Sequence, residues 1–315
     1  MSAGNRSLAL IFAVTLAAAS VVLCLARWAW LRWSASGVAV GLNIALTALR
    51  IRWGHARIDV FGVIQGATGQ LMRGHNPYAA VYPSTTPGAV VLHYPYLPGL
   101  LLISVPFRMM GDIRVGSAVA MIVIVFAVCL IARRHCAPQS VGAVTATLVA
   151  MPSWPFMIAQ AWPEIYVVAG IALWLALRER WPRLAILPLG VALCVVPTAV
   201  PLLVFPFLWW RGSRREIIQA AVIAAVMCVP FAAWAGIRRF VAATIIFQLK
   251  LPVRFDGLSA NGLFLHLGLP PMPGLYAVVT WLVLIAIFAR WRERDWSSGL
   301  LLGSALALVV FVTAR

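Results

Sequence analysis

Charge is what this sequence has least of. Only 10% of its 315 residues are charged, and 8 acidic residues face 25 basic ones. A soluble protein of this length could not cover its surface with so few charges. Lysine is nearly missing as well: Lys250 stands alone, so the formal net charge of +17 comes almost wholly from arginine. The signatures of soluble catalysis are absent, for no P-loop, GxGxxG, GxSxG or HExxH run occurs. A separate nucleotide-binding domain has no room. The cysteines (Cys24, Cys129, Cys136, Cys194 and Cys228) are odd in number and lack CxxC or Cys/His spacing. They suggest neither a disulfide framework nor a zinc site, and read as small core residues. No internal repeat or low-complexity tract breaks the chain, which reads as one integral membrane domain over 1–315.

Apolar sequence is what fills the chain instead. It is 63% hydrophobic with a mean hydropathy of +0.95. Runs near 20 residues, about what a ~30 Å hydrocarbon core requires, recur along its length. Backbone in hydrocarbon must satisfy its own hydrogen bonds, which leaves helices or a closed barrel. Continuous Leu/Ala/Val/Ile runs without period-two alternation decide for helices. The expected fold is therefore all-α, a polytopic transmembrane helical bundle of about 10–11 spans. Candidate spans lie near 8–29, 34–50, 115–133, 139–158, 162–178, 184–197, 199–210, 216–235, 273–291 and 297–313, with a half-length run over 96–110. The first of these could imitate a signal peptide, but only Arg6 precedes it and further spans follow at once, so it reads as uncleaved.

The arginines fall in short clusters between apolar runs: Arg133-Arg134, Arg178/Arg180/Arg183, Arg211/Arg214/Arg215 and Arg290/Arg292/Arg294. Cytoplasmic loops carry this pattern under the positive-inside rule, so nucleic acid is not the expected partner. Placing the clusters inside leaves two polar regions outside, 51–95 and 237–272. The first is too rich in Gly, Pro and His to cross, and has room for an interfacial helix around 60–72. One conflict stays open: with Arg133-Arg134 inside, either 96–110 does not fully span or the charge rule fails there.

Scarcity makes the carboxylates informative. Glu179, Glu216, Glu293 and Asp295 lie within arginine clusters, where ion pairing at a helix end accounts for them. Asp112 follows Gly111 and reads as a turn or cap residue. Asp59, Glu164 and Asp256 remain, each near the outer mouth of a span, where an ionisable group points to function. Asp59 could also simply cap helix 60–72 beside Arg57. Glu164, after Trp162-Pro163, is either a first-turn carboxylate on the helix dipole or a group facing substrate. Gly74-His75-Asn76-Pro77-Tyr78 makes a turn, and His93-Tyr94-Pro95-Tyr96-Leu97-Pro98 is a proline-held, non-helical path. Lys250 and Arg254 form an outer basic pair suited to a phosphate, or else Arg254 pairs with Asp256 and no ligand is involved.

In combination these segments resemble the GT-C superfamily of membrane glycosyltransferases, and most of all the actinobacterial polyprenyl-phosphomannose-dependent mannosyltransferases of the phosphatidylinositol-mannoside type. The similar elements are Asp59-Val60-Phe61, then Leu71-Met72-Arg73-Gly74-His75-Asn76-Pro77-Tyr78, then His93-Tyr94-Pro95-Tyr96-Leu97. Ala159-Gln160 falls where such proteins carry Gly-Gln, and Phe255-Asp256-Gly257-Leu258-Ser259 looks like a stretch of related members. Tyr96 departs from the second proline of the family's Tyr-Pro-Pro motif, and Val196-Pro197 stands where many relatives have Lys-Pro.

The resemblance implies inverting transfer of a sugar, mannose foremost, from a polyprenyl-phosphate sugar donor to a lipid-linked or glycan acceptor at the outer face of the cytoplasmic membrane. Asp59 would be the general base. His75, Asn76, Tyr78, His93, Tyr94, Gln160, Glu164 and Asp256 would bind substrate, and Lys250, Arg254 and His266 the donor phosphate. No cofactor or metal is required. Two other classes compete. A flippase or transporter predicts polar pairs inside spans and inverted repeats, whereas these spans are clean of charge. A non-catalytic subunit that binds lipid or polyprenol fits the missing lysine.

Overall fold

A computed structural model of the chain describes residues 59–82, 93–135, 153–197 and 214–250, with a few single positions besides. Among these residues the protein is helical and contains no β-strand. The helices are α1 (Asp59–Met72), α2 (Pro98–Met109), α3 (Arg114–His135), α4 (Ser153–Ala159), α5 (Glu164–Leu177), α6 (Pro182–Leu193) and α7 (Arg214–Ala235). After α7 come α8 (Ile237–Val241), a π-helical turn (Ala242–Ile246) and α9 (Phe247–Lys250). The expected spans 8–29, 34–50, 199–210, 273–291 and 297–313 lie mostly or wholly outside the described residues, as does most of 139–158.

Local chemistry sets the helix boundaries. α1 buries Val63, Ile64, Ala67 and Thr68, a single stripe at helical spacing. It stops at Gly74, whose φ of +75° suits a residue without Cβ. There the His75 amide donates to the Gln70 carbonyl at 2.9 Å and the Gly74 amide to Leu71 at 3.0 Å, a Schellman closure. α2 starts with Pro98 in its first turn, after an extended Leu97. The α4 end repeats the Schellman pattern, with Trp162 donating to Met157 and Ala161 to Ile158, both at 3.0 Å. Its left-handed position is filled by Ala161 at φ +54° rather than by glycine.

Two of the described helices are long and apolar enough to cross a membrane, α3 and α7. Each has 22 residues, about 33 Å at 1.5 Å per residue. The spans expected over 162–178 and 184–197 are shorter in the structure: α5 has 14 residues and α6 has 12. Pro163 precedes the first of these helices, and Pro182 opens the second. The polar loop expected over 237–272 also differs, since helix continues through α8, the π-turn and α9 to Lys250. Gly236, at φ +80°, redirects the chain there without ending its helical course.

The bundle has two chemically distinct ends. At one, Arg134 donates to the Ala176 carbonyl at 2.7 Å and stands 3.7 Å from Glu179. Trp174 donates its indole N–H to Glu216 at 2.7 Å, and Arg178 lies 3.7 Å from the same carboxylate. The ends of α3 and α5 and the starts of α6 and α7 thus meet among arginines. At the other end the starts of α3 and α5 meet, where the Ser117 and Tyr166 hydroxyls lie 3.4 Å apart. Helices α3 and α5 therefore run parallel. The half-length run over 96–110 forms α2, whose 12 residues measure about 18 Å. Arg134 meanwhile shares the basic end with Arg178.

Close backbone contacts hold the layers. The Leu97 amide donates to Val195 at 3.0 Å and the Gly99 amide to Cys194 at 2.7 Å. A Cβ on Gly99 would sit 2.5 Å from the Cys194 carbonyl oxygen, so this approach requires glycine. Gly170 likewise lets α5 lie against Pro188 of α6, where a Cβ would be 2.5 Å from the Pro188 oxygen. One apolar core joins Ile64, Tyr78, Tyr94, Leu100, Ile113 and Ile165.

Candidate functional site

Away from the arginine clusters, the starts of α1 and α5 carry Asp59 and Glu164 in their first turns. Tyr96 lies between the two in its electrostatics. Burial, and after it the negative charges of Glu164 and Asp59, push the Tyr96 hydroxyl well above the ordinary phenol range. The phenol therefore stays protonated and can donate a hydrogen bond. Tyr96 thus feels one carboxyl from each of two other segments.

The frame around them is aromatic. Tyr78 and Tyr94 are fully buried, their rings edge-to-face at 5.4 Å, and Tyr94 meets Tyr96 in the same way at 5.6 Å. The Tyr78 hydroxyl donates to the Tyr96 carbonyl at 2.9 Å, and the Tyr82 hydroxyl to the Pro77 carbonyl at 2.8 Å. Desolvation raises the pKa of Tyr78, Tyr82 and Tyr94, so these phenols too stay neutral. Sequence reading placed Tyr78 and Tyr94 among substrate-binding groups. Their burial and internal hydrogen bonds make them braces for the 93–98 path. Asn76 is a brace too. Its Oδ1 accepts from the Tyr78 amide at 2.9 Å and its Nδ2 donates to the Trp234 carbonyl at 3.1 Å.

The histidines are more accessible. His75 is exposed, with Nδ1 at 3.0 Å from Gln70 Oε1, and exposed His93 has Nδ1 at 3.2 Å from the Ala80 carbonyl. Gln160 is buried at the α4 end, 3% exposed. Asp112 is the turn residue expected of it: it accepts from the Arg114 amide at 2.8 Å and pairs with that guanidinium at 2.7 Å. Arg114 in turn covers the Phe61 ring at 4.7 Å, two residues after Asp59 in α1. Gln65 ties α1 to the same connection, donating to Gly111 at 3.0 Å and accepting from Ile113 at 3.3 Å.

The two polar regions expected at one face do meet. Phe240 of α8 packs on Tyr78 with ring centroids 4.9 Å apart, and Gln248 donates to the Pro95 carbonyl at 3.5 Å. Lys250 closes α9 just beyond. Arg254, Asp256 and His266 lie outside the described residues. Among the described residues, no three His, Cys, Asp or Glu side chains gather as a metal site.

Sequence reasoning missed Arg238 and Arg239, both exposed on α8. A signal was present, since two adjacent arginines directly follow span 216–235 on the side that the charge rule leaves poor in arginine. It gave Tyr96 no role of its own either, naming it only within the proline-held path and as a departure from a motif.

Comparisons with protein-family models, with curated proteins and with solved structures found no match.

Proposed function

We propose that this chain is a polytopic membrane glycosyltransferase of the GT-C type. It moves a sugar, mannose foremost, from a polyprenyl-phosphate donor to a lipid or glycan acceptor at the extracytoplasmic face. The observation that carries the reading is the Tyr96 hydroxyl on the 93–98 path, which is subject to the charges of both Glu164 and Asp59 at the end remote from the arginine clusters. A sugar transferase needs a carboxylate to take a proton in a setting that also holds sugar hydroxyls. Asp59 takes the proton of the acceptor hydroxyl as its oxygen attacks the anomeric carbon. The bond from that carbon to the phosphate oxygen breaks, polyprenyl phosphate leaves, and the configuration inverts. Tyr96 and Glu164 bind hydroxyls of donor or acceptor.

Positive charge near the leaving phosphate stabilises the developing anion. Lys250, Arg254 and His266 fill that role in this reading, and the Gln248–Pro95 contact supports it by carrying the segment before Lys250 to the 93–98 path. The arginine clusters at the opposite end support an orientation with that end in the cytoplasm.

The deciding experiment incubates membranes containing the protein with radiolabelled polyprenyl-phosphate sugars and follows the labelled glycolipid. Asp59→Asn is expected to lower its formation by about 10²–10⁴-fold, the range for loss of a general base, while the variant still purifies as a folded protein. Undiminished transfer by Asp59→Asn removes Asp59 from the mechanism. No transfer by the wild type with any such donor removes the reaction class.

A further inference from the structure

Beyond the sugar-transfer reading, a second feature stands at the same end of the bundle. Gly236 turns the chain out of α7, and the short α8 presents Arg238 and Arg239 side by side in the open. Neither guanidinium has an ion-pair partner among the described residues. They line an open cleft of about 660 Å³ with Ala235, Gly236, Ile237 and Ala242. The walls are thus aliphatic apart from two cations.

Below the cleft, α7 carries an exposed apolar track. Ile218, Val222, Val226 and Val229 follow one another at intervals of four, four and three, which places them on one helix face. Val226 is 65% exposed, and Ile237, at the top beside the arginines, is 68% exposed. Side chains this apolar and this open suit hydrocarbon beside them. The track runs along α7 from Ile218 to Val229, and exposed Ile237 stands beside the paired cations; a lipid with its chains along α7 and its head at α8 would cover both.

Charge selects the head. Both arginines border the one cleft, and arginine binds phosphate oxygens by paired N–H donors. A zwitterionic head brings its own cation and has less to gain. We propose that Arg238 and Arg239, with Ile237 and the α7 track, form a binding site for an anionic glycerophospholipid such as phosphatidylglycerol. The opposite face of α8 holds Phe240 against Tyr78, so this lipid lies directly behind the aromatic frame of the candidate site. The site does not depend on the chain being a transferase.

Native mass spectrometry of the purified full-length protein in detergent tests it, with phosphatidylglycerol, phosphatidylcholine and polyprenyl phosphate as probes. The expected result is retention of phosphatidylglycerol about tenfold or more above phosphatidylcholine, since each arginine near a headgroup layer contributes a several-fold preference. Arg238→Gln with Arg239→Gln should abolish that preference, each single change should weaken it, and Arg238→Lys with Arg239→Lys should keep most of it. Equal retention of the two phospholipids by the wild type overturns the proposal. So does an unchanged preference in the single or double glutamine variants. Displacement of phosphatidylglycerol by equimolar polyprenyl phosphate also overturns it, and would assign the shelf to the isoprenoid lipid.

Discussion

Asn76 and Trp234 lie 158 positions apart in the chain, yet the Asn76 side-chain amide donates to the Trp234 carbonyl at 3.1 Å. The bond fastens the turn after α1 to the last turn of α7, whose late carbonyls have no partner within the helix. The same side chain closes its own turn by accepting from Tyr78. One residue therefore satisfies backbone groups of two segments.

Asn76→Ala should accordingly destabilise the protein by about 1–3 kcal/mol, because two backbone groups lose partners. Asn76→Asp keeps the acceptor toward Tyr78 and loses the donor toward Trp234, so it should fall between. Thermal unfolding in detergent orders the three proteins. An alanine variant that melts with the wild type would show that the junction does not depend on this side chain.

Gly99→Ala should be costly despite its small size. The new methyl would stand 2.5 Å from the Cys194 carbonyl oxygen, a backbone atom that cannot swing aside. Overpacking of this kind costs about 1–3 kcal/mol. A lowered melting temperature is expected, together with loss of the proposed transfer activity, because residues 97–99 enter α2 directly after Tyr96.

Ala161→Gly runs the other way. Ala161 occupies a left-handed position at φ +54°, where a Cβ costs about 1 kcal/mol. Glycine should raise stability by a few tenths to about 1 kcal/mol, reduced by the loss of one buried methyl. A lower melting temperature for this variant would mean that the methyl's packing outweighs the backbone strain.

The buried phenols set a limit at high pH. Burial raises Tyr78, Tyr82, Tyr94 and Tyr96 above their usual value of 10.0. The unfolded chain deprotonates at that ordinary value while the folded chain holds its protons. Their stabilising effect is therefore complete below pH 10 and declines as pH rises further. Melting temperature followed from pH 8 to 11 should stay level and then drop. Tyr96→Phe should make the drop shallower, and an identical slope in that variant would exclude Tyr96 as a contributor.

Much of the helical layout could be read in the sequence. The expected segments 60–72, 115–133 and 216–235 correspond to α1, α3 and α7 within a few residues, because unbroken apolar runs and a capped amphipathic stripe leave little alternative. The lengths of α5 and α6 could not be read so well, since hydropathy continues through Pro163 and Val195 where the helix does not. The site was half legible. Rarity singled out Asp59 and Glu164 among the acids. Periodicity cannot report that Tyr78 and Tyr94 turn inward, for a tyrosine reads alike whether it meets substrate or a carbonyl across the fold. Nor did composition give weight to Tyr96, whose place between two carboxylates is a property of tertiary contacts alone.

Where α6 stops, its last neighbour Cys194 has its sulfur 3.4 Å from that of Cys228 on α7. A covalent sulfur–sulfur bond is about 2.05 Å long, so the two thiols stand one small movement short of joining. That gap makes the pair a ready-made gauge of the α6–α7 seam. A displacement of one helix along the other would open or close it, and the rate at which a mild oxidant links the two cysteines would report that displacement without an added label.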